Sequence, residues 1–194
     1  MRLFFSLLIV STIFAAGSVQ SALAQGSRAL REAERISGDR FTVALRTPRG
    51  ARIYAVSRPN AAMLSAIDRG LTDLFAVARR NGYSRLLNYS DYTVFIAKPD
   101  RQKNADGNYS PDITVGAGQY AGTDYDKGGY IYAAGMVISN SPAAFLIAGH
   151  RGDLSRVANI VRFEGEHLVL YHNDRRRYSQ TADHSRGGGH PILQ

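Results

Sequence analysis

The chain has no cysteine and no tryptophan, and only three lysines, Lys98, Lys103 and Lys127. Without cysteine there can be neither a disulfide nor a thiolate ligand. A folded state must then be held by packing, helped at most by a metal bound through nitrogen or oxygen. With so little lysine, the 24 basic residues are mostly arginine, and 16 acids leave a formal net charge of +8. Arginine suits bidentate contact with phosphate or carboxylate. The arginines are scattered rather than striped, which describes a solvated surface. An anionic polymer bound through that surface is the functional alternative. Histidine is missing from the first 149 residues: His150, His167, His172, His184 and His190 all fall in the last 45.

Long apolar runs are missing too, except at the start. Arg2 supplies a short basic segment, and Leu3 to Ala16 is uncharged and apolar. Ala22-Leu23-Ala24 then offers small residues where a signal peptidase reads them. The apolar run is short for a bilayer core of about 30 Å, and no basic stop-transfer flank follows it. These features predict a signal peptide over residues 1–24, cleaved after Ala24, and a secreted or periplasmic protein. The remaining residues 25–194, 170 in all, suit one domain.

Ser27 to Ile36 reads as a short helix with Ser27 as its cap. Phe41 to Arg46 and Ala51 to Val56 alternate like strands around the turn Thr47-Pro48-Arg49-Gly50, predicting a hairpin. Asn60 to Asn81 is the clearest helix: Leu64, Ile67, Leu71, Leu74, Phe75 and Ala78 share one face, and Asn81-Gly82 stops it. Tyr92 to Ala97, Ile113 to Val115 and Gly129 to Ser139 read as strands. The polar stretch 100–112 lacks the acids of an EF-hand loop, with Gln102 and Ile113 at the positions that need them. Gly116-Ala117-Gly118 lacks the third glycine of a dinucleotide fingerprint, since position 121 is Ala121. Helices and strands do not alternate regularly. The expected fold is a single α+β domain, a mostly antiparallel sheet packed against the helix over 60–81 and a C-terminal helix over about 155–178.

The histidine-rich third is where chemistry is expected. Val157, Ile160, Val161, Glu164, Leu168 and Tyr171 recur at helical spacing, giving an apolar face interrupted by Glu164. On that helix Glu164 and His167 are i and i+3, hence neighbours. A carboxylate and an imidazole on an apolar helix face is one way that metal sites are built in helical cores. His172, His184 and His190 are the further candidate ligands, the last two on the stretch Thr181 to Pro191, where Gly187-Gly188-Gly189 permits close backbone approach. The competing local structure is a hairpin turning at Gly165, with strands over 158–163 and 167–172, which would separate Glu164 from His167.

Phe163-Glu164-Gly165-Glu166-His167 resembles the zincin metallopeptidase motif HExxH, with Phe163 in place of the first histidine. The resemblance implies zinc as cofactor and a hydrolase in which Glu164 takes the proton of metal-bound water, with Tyr171 or a nearby arginine steadying an oxyanion. Tyr178 to His184 is similar to the C-terminal strand of small secreted microbial ribonucleases, which implies a metal-free enzyme with His184 as the catalytic histidine. The expectation carried forward is a zinc-dependent hydrolase with ligands among His167, His172, His184 and His190. The alternatives are that ribonuclease, or a non-catalytic envelope module binding a polyanion or a protein.

Overall fold

The computed structural model describes residues 28–100, 112–116, 130–149, 152–184 and 187–193. The expected signal peptide, the cap Ser27, most of the polar 100–112 stretch, the glycine-rich segment after Gly116, and His150 lie outside the described residues. The first element is a helix, α1 (28–37). The expected hairpin follows as β1 (Val43–Arg46) and β2 (Arg52–Ala55), paired antiparallel. Next come α2 (Ala61–Arg80), β3 (Thr93–Ala97), β4 (Ile113–Gly116), β5 (Tyr130–Ala133), β6 (Gly135–Asn140), β7 (Ala143–Ala148), α3 (Leu154–Asn173) and α4 (Arg175–Thr181). A 3-10 turn spans Tyr89–Asp91. No helix among the described residues is long and apolar enough to cross a membrane.

The fold is α+β, but the sheet is mixed rather than mostly antiparallel. Its order is β1-β2-β3-β7-β6, with β1–β2 and β6–β7 antiparallel and β2–β3 and β3–β7 parallel. The parallel pairing of β2 with β3 follows from α2, which forms the crossover between them. The sequence pattern does not mark strand β7. All six of its residues are buried, as are all five of β3. A strand covered on both faces loses the in/out alternation that marks a half-buried one. β4 and β5 form a separate antiparallel pair.

Both faces of the sheet are covered. On one side Val94, Ile96, Phe145 and Ile147 meet the apolar faces of α2 and α3. On the other, Phe95, Ala144, Leu146 and Ala148 meet Ala29, Ala33 and Ile36 of α1, together with Phe41 and Ile113. Asn60 caps α2 by accepting the Met63 N–H at 2.8 Å, and Gly82 leaves the helix at φ 77°, as the Asn-Gly pair implies. At the other terminal helix the hairpin alternative is excluded: residues 154–173 are one helix, capped by Asp153, whose side chain accepts the Arg156 N–H. Asp174 ends α3 and caps α4, so the expected single helix over about 155–178 is two helices.

Helices α2 and α3 approach closely because glycine stands at two points of their seam. A Cβ on Gly70 would lie 2.5 Å from the Ala158 carbonyl oxygen and 2.8 Å from Val161 Cβ. A Cβ on Gly165 would meet Leu74 Cδ2 at 2.4 Å. The Gly70 contact is with backbone, which cannot swing aside. Gly70→Ala should therefore destabilise the protein by about 1–3 kcal/mol, the overpacking cost outweighing the gain of roughly 1 kcal/mol in helix propensity. Thermal unfolding should show the melting temperature falling; a rise would mean that the helices can separate cheaply.

Candidate metal centre

His167 sits on α3 one turn beyond Phe163, beside Glu166, on the side of the helix that the C-terminal segment covers. Its side chain meets His184 and His190, which come from that segment. The ring centroids of the three imidazoles are 5.0 Å (His167–His184), 4.9 Å (His167–His190) and 4.9 Å (His184–His190) apart, close to an equilateral triangle. Each offers a nitrogen, and these nitrogens lie within 4.8 Å of one another. The three residues can hold a metal ion. Four-coordinate bonds of 2.0–2.1 Å would bring the nitrogens to roughly 3.3 Å, a change that small ring rotations supply.

A buried carboxylate fixes the triangle. Glu166 is fully buried, and its Oε2 accepts from His190 Nδ1 at 2.8 Å. Its Oε1 accepts the Ile192 N–H at 2.7 Å. Two hydrogen bonds thus clasp the tail onto α3, and Ile192 is buried in the main core. With Nδ1–H of His190 donating to Glu166, Nε2 carries the lone pair, the arrangement that carboxylates impose on metal-binding histidines. Phe163 stacks on His190 at 4.5 Å with 21° between the rings. At the position where HExxH has its first histidine, this chain holds a phenyl ring with a histidine from the tail laid against it.

The electrostatics favour the neutral form of His167 and His184. Burial, then the neighbouring His190 and His184, pushes His167 down to about 3. Burial, followed by His190, also lowers His184, opposed by Glu166 and Asp183. Neutral imidazole is the form that binds metal. His167 Nδ1 is buried and has no hydrogen-bond partner among the protein atoms, an orphan that normally costs about 1–3 kcal/mol. Three convergent imidazoles, two of them held neutral by burial and one with an orphaned buried nitrogen, fit a divalent cation.

The remaining expected site residues lie elsewhere. Glu164 is on α3 but turned to β6: a Cβ on Gly135 would lie 2.9 Å from its Oε1. Part of the residue's surface is accessible, yet the carboxyl end is enclosed against the strand. Desolvation there raises Glu164 to about 8, opposed by a hydrogen bond from the Val137 backbone. His172 Nε2 is 2.7 Å from the Asn140 carbonyl oxygen and is not part of the trio. Tyr171 packs edge-on against Tyr178 at 5.2 Å, lies under the Arg175 guanidinium, and lines a cavity of about 500 Å³ between α1 and the end of β6. Neither the apolar helix face nor the HExxH spacing marks Glu166. Its only signal was adjacency to His167. No protein-family model, curated protein or solved structure matches this chain.

Two outcomes follow from this geometry. Glu166→Ala leaves the His190 and Ile192 donors without their acceptor and should cost about 2–4 kcal/mol in denaturant unfolding; a loss below half a kcal/mol would mean that the clasp does not hold the tail. Glu164 has a folded pKa above its unfolded value, so the folded state binds more protons between about 4.5 and about 8. Its contribution is complete below that window and is lost as pH rises through it. The stability difference between the parent and Glu164→Gln should therefore change with pH across that window, with the parent losing ground; parallel pH profiles would refute the assignment.

Proposed function

We propose that this protein is an exported zinc-dependent hydrolase whose metal is held by His167, His184 and His190. The observation that carries the proposal is the triangle of imidazoles with its buried carboxylate clasp. Three protein ligands that leave a fourth position open are characteristic of catalytic rather than structural zinc. An all-imidazole set without thiolate suits a borderline cation such as zinc, and the chain's lack of cysteine leaves nitrogen and oxygen as its only strong donors. Bound zinc supplies a water with a pKa near 7 and a Lewis acid for a substrate carbonyl.

The chain's own residues prepare that chemistry. Glu166 orients His190 and keeps its proton on Nδ1. His167 comes from the floor of the site and is buried, whereas His184 is exposed and leaves a route for water and substrate. Phe163, the large apolar side chain most exposed among the described residues, places a ring beside the site where an apolar substrate group can rest. Glu164, neutral at pH 7 and facing β6, takes no step in this scheme, and neither does Tyr171 in its separate cavity.

The test is metal analysis of residues 25–194 without an affinity tag, beside His167→Ala. About one equivalent of zinc is expected in the parent and less than about a tenth of that in the variant, since loss of one of three ligands removes most of the affinity. Ester and peptide hydrolysis by the loaded parent should then disappear with a chelator and return with zinc. A parent that holds no metal after incubation with zinc and dialysis would overturn the proposal.

A further inference from the structure

The turn between β1 and β2 folds over α2 and leaves a depression of about 390 Å³, lined by Pro48, Arg49, Ser65, Asp68, Arg69, Thr72 and Asp73. No residue of the histidine triangle takes part in it. Its floor is Asp68, only 5 % exposed. Oδ2 of Asp68 accepts the Arg49 N–H at 2.9 Å and so anchors the turn. Oδ1 is also buried but has no partner among the protein atoms. A buried carboxylate oxygen without a protein donor is costly, and a donor from outside the chain, whether water or ligand, relieves that cost.

The charges around Asp68 narrow the ligand class. Two carboxylates (Asp68 and Asp73) and two guanidiniums (Arg49 and Arg69) line the depression, so its formal charge is balanced. A simple cation would meet both arginines, and a simple anion would meet Asp68 at the floor. Each guanidinium has five N–H donors. Arg69 donates to the Leu154 carbonyl at 3.1 Å, and Arg49 to Tyr89 and Thr72, which fixes both groups and leaves further N–H donors on each. We infer that this depression binds a free α-amino acid, the ammonium on Oδ1 of Asp68 and the carboxylate on the arginine side. An ammonium and a carboxylate two bonds apart on one carbon match an acid and a base facing each other across a small cavity.

Glycine is the simplest probe. Titrated into the isotope-labelled, intact protein, it should give saturable amide shifts at Arg49, Asp68 and Thr72, with methylammonium and acetate each binding at least about tenfold more weakly. Asp68→Asn keeps an oxygen for the Arg49 N–H and puts an amide where the ammonium docks. It should weaken glycine binding by about tenfold or more while the protein stays folded. Should that variant not fold, Arg69→Gln, at an exposed position, should weaken glycine binding and leave methylammonium unaffected. Absence of saturable shifts in the parent, equal affinity in Asp68→Asn, or methylammonium binding as well as glycine would each overturn the inference.

Discussion

The close contact between α2 and α3 is the constraint on which the rest of the molecule depends. Gly70 lets the Ala158–Val161 turn of α3 come against α2, and Gly165 receives Leu74. That contact sets the rotation of α3 about its own axis. With Val157, Val161 and Leu168 committed to the core, Glu166 falls on the opposite side of the helix with His167 beside it, where the C-terminal segment covers them. Overpacked helices would have to rotate or separate, and the imidazole would lose its place.

The second constraint is the clasp formed by Glu166. Burying a carboxylate is unfavourable unless its oxygens are satisfied. Here both are satisfied by the C-terminal segment, through His190 and the Ile192 N–H. One carboxylate therefore secures the end of the tail and holds His190 against His167. It also explains why α3 is buried almost all round between Gly165 and Leu170. The core covers one side and the tail the other, so the residues of this stretch do not follow a single amphipathic stripe.

The two sites have different physical character. The histidine triangle brings three imidazole nitrogens together and leaves one buried nitrogen without a partner among the protein atoms, which suits a cation. The depression over α2 is a balanced pair of acids and bases around one unsatisfied buried oxygen, which suits a zwitterion. In both, an unpartnered buried polar atom marks the place where the protein's own hydrogen bonding stops.

Much was legible in the sequence. The α2 periodicity with Asn60 and Asn81-Gly82, the β1–β2 hairpin, the strand at Thr93–Ala97 and the concentration of histidines near the C-terminus were all local signals, and local signals survive in one dimension. The α+β class followed from their irregular order. What tertiary structure decided was everything that required two faces or two distant segments. β7 was hidden because burial on both sides erases alternation, and the parallel pairings depend on where a crossover helix packs. Selecting His184 and His190 rather than His172 as partners of His167 depended on where the tail lands. Spacing along the helix pointed to Glu164, but the helix's packing turned that side chain to β6 and gave the tail to Glu166. Spacing reports which residues share a helix face, and only the packed neighbours determine what that face meets.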